Sequence, residues 1–239
     1  MCLNCGCMNG FDDHGQSSNL TMSDLQVMSS INLMSPPQSV ENITTTFDSY
    51  KYKRITIVSD IDGTIGDTMS AYSLALKLVY NSDILPRNWT SYKYPDGTDK
   101  LKEIMHDPAL LLRLSPFYDI INVLNWAYEI GHVVIIATDR EPSLKKITKQ
   151  WLDYAGVKYH DLRVGKGNKE SLCRVHNTDN PMLLIDDNSE KWVSCNVQGT
   201  TILSPRRPYT PDNSFHNNVI VYDNALELIS YIKSETMNE

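Results

Sequence analysis

From Tyr52 onward, apolar runs of strand length alternate with amphipathic segments of helix length, and the pattern recurs about five times. A chain patterned this way buries itself most simply as an α/β domain, a parallel sheet with helices packed on its faces. Arg54 to Ser59 reads as the first buried strand. Phe117 to Ile130 reads as a helix with Ile120, Ile121, Leu124 and Ala127 on one side and Gly131 as its stop. His132 to Ala137 is the next strand, and Ser143 to Ala155 a second amphipathic helix closed by Gly156. A short strand at Leu162 to Val164, a helix from about Lys169 and the strand Met182 to Ile185 follow. Thr201 to Leu203 and Val219 to Tyr222 are further strands, and a helix from Asn224 to Lys233 ends the series. The stretch between the first strand and the Phe117 helix is longer than a crossover needs, so residues of about 67–115 are expected to form a small cap over the site. The alternative is a decoration that only shields the sheet.

Residues 1–50 differ in texture. They contain no Lys or Arg, and Asp12, Asp13, Asp24, Glu41 and Asp48 give them −5 of the chain's net charge of −7. The reading is therefore an acidic, cysteine-containing N-terminal appendage at 1–50 and a main domain at 51–239. Thr21-Met22-Ser23-Asp24 has the form of a capping box, and Leu25, Met28 and Ile31 would form one apolar face of a short helix that Pro36-Pro37 ends. Cys2-x-x-Cys5-x-Cys7 with His14 offers four ligands, the number a closed zinc site takes, although the spacing is compressed. A short terminal cysteine cluster that binds nothing is the alternative.

The net negative charge argues against a protein that coats nucleic acid, since backbone affinity needs clustered Lys and Arg. No apolar run approaches the roughly 18 residues of a membrane span. Met1 to Cys7 has neither the basic region nor the apolar core of a secretory signal, so the expected compartment is the cytoplasm, with reduced thiols.

Chemistry concentrates at three strand ends. Val58-Ser59-Asp60-Ile61-Asp62-Gly63-Thr64 places two carboxylates one residue apart, after an apolar strand and before a glycine. Asp60 can attack phosphorus as a nucleophile, and Asp62 can protonate the leaving oxygen and then activate water. Gly63 lets the backbone turn closely beneath a phosphate. Thr138, Asp139 and Arg140 follow the second strand, and Asp186 with Asp187 follow Met182 to Ile185. Carboxylate clusters converging in one crevice repel, and a divalent cation with oxygen ligands, Mg²⁺, resolves the conflict. Arg140 would hold a substrate oxygen or pair with Asp139.

These motifs resemble the haloacid-dehalogenase-like phosphohydrolase superfamily over roughly residues 52–235. The resemblance implies a Rossmann-like, doubly wound parallel sheet with a small cap insertion, and it implies roles. Asp60 would be the nucleophile, Asp62 the general acid/base, and Thr138 a phosphate hydrogen-bond donor. Gly63 and Thr64 would lie on the substrate. Mg²⁺ would sit on Asp60, Asp186 and the backbone carbonyl of Asp62, with Asp187 in support. The family's lysine is assigned to Lys169, which opens a helix, with Lys166 in the preceding Gly-rich turn as the alternative. Asp107-Pro108, Leu114-Ser115-Pro116, Ala137-Thr138-Asp139-Arg140, Thr148 to Leu152 and Leu184 to Asn188 are similar to the 5'(3')-deoxyribonucleotidase group, and the last three also to the phosphatase domain of phage-type polynucleotide kinase. The implied substrate is a small phosphorylated molecule, a nucleotide, with a nucleic-acid 3' end as the alternative. Asp139 departs from the nucleotidase pattern. Trp89 and Tyr92 in the expected cap could stack on a base, or serve only packing. A non-catalytic phosphate- or metal-binding protein is the reading of another class.

Overall fold

A computed structural model describes residues 21–31, 34–51, 53–81, 104, 106–175, 181–211 and 216–236. Trp89 and Tyr92, the Cys2, Cys5, Cys7 and His14 cluster, and most of the expected cap between 82 and 103 lie outside them. The chain divides into two compact units, Met1–Tyr52 and Lys53–Glu239.

The first unit holds helices α1 (Met22–Ile31) and α2 (Pro36–Lys51). Thr21 caps α1 reciprocally. Its hydroxyl donates to Asp24 Oδ2 at 2.7 Å and accepts the Asp24 N–H at 3.3 Å, while its own N–H reaches the same carboxylate at 2.8 Å. Leu25 is buried, but Ile31 is exposed, so the expected apolar face does not run the length of the helix. Pro36-Pro37 was expected to end α1 and instead begins α2. Proline suits a first helical turn, where its missing N–H would have no helical partner anyway. The hydroxyls of Ser29 and Ser39 meet at 2.7 Å between the two helices.

The second unit is built on one parallel sheet. Its strands are β1 (Thr56–Ser59), β2 (Val133–Thr138), β3 (Asp161–Val164), β4 (Met182–Ile185), β5 (Thr200–Pro205) and β6 (Val219–Tyr222), in the order β3-β2-β1-β4-β5-β6. The helices are α3 (Thr68–Tyr80), α4 (Pro108–Leu111), α5 (Tyr118–Glu129), α6 (Lys145–Ala155), α7 (Asn168–Val175), α8 (Ser189–Ser194) and α9 (Ala225–Thr236). Strands buried on both faces read as near-continuous apolar runs, and alternate residues here divide between two cores. Ile57, Val134, Ile136, Leu183 and Leu203 pack with α5, α6 and α9. Val58, Ile135, Ala137, Leu184 and Ile202 pack with Leu172, Cys173, Trp192 and Cys195. Each such Val, Leu or Ile side chain contributes about 1.5–3 kcal/mol on burial. The α/β doubly wound reading therefore holds.

Register aligns the strand ends. Ser59 pairs with Ile136 of β2 and with Ile185 of β4, so the residues that follow leave the sheet at one level. Gly156 takes a left-handed conformation at φ 70° and returns its N–H to Leu152 O, which ends α6.

His132 lies 1% exposed before β2 and accepts the Ile55 N–H at 3.5 Å. Burial, aided by Arg54, pushes its pKa down to about 4. A depressed histidine stabilises the fold above its unfolded value of about 6.5, and that contribution is lost as pH falls through 4. Urea unfolding should lose about 3 kcal/mol between those pH values through His132 alone, and His132→Gln should lack that part of the decline.

Candidate active site

The strand order reverses between β1 and β4, the switch point at which open α/β sheets take ligands. Asp60 directly follows β1 and donates its N–H to Ile185 O at 2.9 Å, and Asp186 directly follows β4 and donates to Leu203 O at 3.1 Å. Beyond Asp60 the chain coils around one carbonyl. Ile61 O accepts the N–H groups of Thr64, Ile65 and Gly66 at 3.2, 3.0 and 2.8 Å.

Asp60, Asp186 and Asp187 each turn a carboxylate oxygen to within 4.8 Å of the others, and all three are buried. Lys169, in the first turn of α7, reaches Asp186 Oδ2 at 2.6 Å and Asp60 Oδ1 at 3.0 Å. The contact to Asp60 is an ion pair without hydrogen-bond geometry, so Asp60 Oδ1 remains a buried oxygen with no hydrogen-bond partner among the described residues. Burial pushes the Asp60 pKa well above the carboxylate range, since Asp186 and Asp62 add to it and Lys169 only partly opposes it. Burial and Asp186 push Asp187 up to about 7, against hydrogen bonds from Tyr209 and Thr64. For Lys169 burial disfavours the charge, but Asp186 and Asp60 outweigh it and hold the ammonium well above the usual lysine value. Crowded carboxylates, an orphaned oxygen and all-oxygen donors fit a hard divalent cation such as Mg²⁺.

Asp62 is held by the residues that end β2 and follow it. Arg140 grips it with Nη2 to Oδ1 at 2.7 Å and Nε to Oδ2 at 2.8 Å, and Arg140 Nη1 donates to Thr148 at 3.3 Å. Thr138 Oγ1 donates to Asp62 Oδ2 at 3.4 Å. Burial disfavours the guanidinium charge, but Asp62 outweighs it.

The structure thus brings together Asp60, Asp62, Thr138, Arg140, Lys169, Asp186 and Asp187, and it alters several expected contacts. Arg140 pairs with Asp62, not Asp139, whose carboxylate meets Lys191 at 2.9 Å. The Thr64 hydroxyl is engaged within the protein. It is fully buried and exchanges hydrogen bonds with the Asp187 carboxylate and N–H, each at 3.2 Å. Lys166 is exposed in its turn, and Lys169 occupies the site.

Gly63 is needed for a reason the sequence did not show. At φ 76° a Cβ would stand 2.2 Å from Asp187 Oδ2 and 2.7 Å from Tyr209 Oη. Gly63→Ala should destabilise the fold by about 2–4 kcal/mol in urea unfolding, because Asp187 must move. Arg207 and Tyr209 were not expected here at all. Arg207 donates to Gly63 O at 2.8 Å and lies 4.2 Å over the Phe117 ring, while Tyr209 donates to Asp187 Oδ2 at 2.6 Å. Their only signal was a place just after the end of β5.

The sequence matches no family model and no curated protein. Solved structures are similar over about three quarters of the chain. A haloacid dehalogenase-like hydrolase of Streptococcus pneumoniae superposes with a TM-score of 0.54 at 13% identity, covering 74% of this chain and 98% of its own. The fold is that of the haloacid dehalogenase-like hydrolases. A predicted phosphoglycolate phosphatase of Haemophilus somnus has a TM-score of 0.53 at 10% identity, covering 74% of this chain and 97% of its own. The haloacid-dehalogenase-type YfnB of Bacillus subtilis, solved with magnesium bound, has a TM-score of 0.53 at 16% identity, covering 75% and 99%. Among the described residues, no helix of this haloacid dehalogenase-like fold is long and apolar enough to cross a membrane.

Proposed function

We propose that the chain is a Mg²⁺-dependent phosphomonoesterase that works through an aspartyl-phosphate on Asp60, with a nucleotide as its substrate. The observation that carries this reading is the buried cluster of Asp60, Asp186 and Asp187 with Lys169 wedged into it. Asp60, Asp186, Asp187 and the Asp62 carbonyl would hold the metal, which when bound draws charge from phosphoryl oxygens.

Asp60 attacks phosphorus, and the bond to the ester oxygen breaks as Asp62 gives that oxygen a proton. Water then attacks the phosphoryl group, Asp62 takes its proton, and the bond to Asp60 breaks to release inorganic phosphate. Lys169 keeps Asp60 in place and neutralises charge beside it. Asp62 donates a proton only after the two Arg140 bonds open, so substrate arrival must displace that grip. A halide leaving group would need no proton, and the acid role of Asp62 toward the leaving group would then be idle. This favours phosphate-ester cleavage over dehalogenation.

The nucleotide assignment rests on the resemblance of the segments around Thr138, Thr148 and Asp186 to nucleotidases. The free thiols of Cys173 and Cys195 suit a reducing cytoplasm. The test is phosphate release with Mg²⁺ from deoxy- and ribonucleoside 5'- and 3'-monophosphates, phosphoglycolate and a 3'-phosphorylated oligonucleotide. The expected result is turnover of mononucleotides. Preference for the oligonucleotide would move the assignment to 3'-end processing, and turnover of none of them would overturn it.

A further inference from the structure

Lys191 of α8 is a lysine that the chemistry above does not use, although it sits beside the site. Its side chain is only 8% exposed. A lysine at that depth costs several kcal/mol of desolvation unless its charge is matched. Lys191 is overmatched. Its ammonium lies 2.9 Å from Asp139 Oδ2 and 2.6 Å from Glu170 Oε1, with the Ser194 hydroxyl donating to the same Glu170 oxygen at 3.2 Å. The second oxygens, Asp139 Oδ1 and Glu170 Oε2, are buried without a hydrogen-bond partner among the described residues.

Both carboxylates adjoin the catalytic machinery. Asp139 follows Thr138, and Glu170 follows Lys169. The charge of Asp139 is felt at Lys169. Within the site, Asp60, Asp62, Asp186 and Asp187 face Lys169 and Arg140, and a divalent cation would complete that balance. Asp139 and Glu170 stand outside it as surplus negative charge, and Lys191 is the cation placed between them.

We propose that Lys191 is a positioning residue that offsets part of the charge of Asp139 and Glu170, keeping Asp139 from repelling an incoming phosphate dianion and from drawing Lys169 off Asp60. This inference rests on the phosphatase reading. Its effect falls on binding, because Lys191 cancels a field that opposes the anionic substrate before any bond changes.

The experiment measures KM and kcat for the best substrate of the phosphate-release panel with Mg²⁺, for the wild type, Lys191→Met, Asp139→Asn and the double variant. Lys191→Met should raise KM about tenfold, as one uncompensated charge near a partly solvated site predicts, with a much smaller change in kcat. High salt should shrink the defect. The double variant should return KM to within about threefold of wild type, since the second substitution removes the charge that Lys191 cancels. An unchanged KM in Lys191→Met, or no recovery in the double variant, overturns the inference while an active wild type upholds the phosphatase reading. A wild type that releases no phosphate overturns both. If Lys191→Met does not fold, Asp139→Asn alone decides. It should lower KM, and a KM at or above the wild-type value overturns the proposal.

Discussion

Asp60→Asn should reduce Mg²⁺-dependent phosphate release at least about a thousandfold, while the folded protein stays as stable as wild type or becomes more stable. The carboxamide keeps the shape of the side chain but has no anionic oxygen to attack phosphorus. It also removes one of three buried carboxylates that lie within 4.8 Å of one another. Burial and its neighbours raise the Asp60 pKa, so in the absence of metal the charge is a burden on the fold. Lys169 retains Asp186 at 2.6 Å and stays matched. Activity and stability should therefore move apart, and thermal unfolding without metal, run beside the kinetic assay, checks this. In wild type, added Mg²⁺ should raise the melting temperature, and in Asp60→Asn it should do so less. Retained turnover in Asp60→Asn would remove the covalent mechanism.

Lys169→Met should cost about 3–5 kcal/mol of unfolding free energy near neutral pH, because it leaves Asp60 and Asp186 buried without their cation. The penalty depends on pH with a definite sign. As pH falls, Asp60, already displaced upward, takes a proton and its share of the uncompensated charge disappears. The destabilisation should therefore be larger at pH 8 than at pH 5. Mg²⁺ should recover part of the loss in stability at pH 8, since a second cation can answer the same carboxylates. Phosphate release should fall about a hundredfold. Urea unfolding at the two pH values checks the prediction, and equal penalties at both would mean that Lys169 acts by packing alone.

The strands were legible because a parallel sheet covered on both faces favours near-continuous apolar runs, so Val133 to Ala137 and Met182 to Ile185 could be read without periodicity. The stop at Gly156 was legible because a left-handed C-terminal residue favours glycine. The helix α2 was missed because Pro36-Pro37 reads equally as an end and as a beginning. Which it is depends on what the following residues pack against. Asp60, Asp62, Thr138, Asp186 and Asp187 could be singled out because polar residues directly after apolar strands converge on one edge of such a sheet.

The sequence by itself determined the order of the six strands along the chain and the line of polar side chains at the strand ends, since both follow from local patterning and from the few ways to bury it. Only the tertiary structure decided who meets whom. Arg140 passes over its neighbour Asp139 for Asp62, Lys191 takes Asp139, and Arg207 and Tyr209 reach Gly63 and Asp187. Ion pairing in a low-dielectric interior is chosen by distance and direction in space, and chain separation carries no record of either.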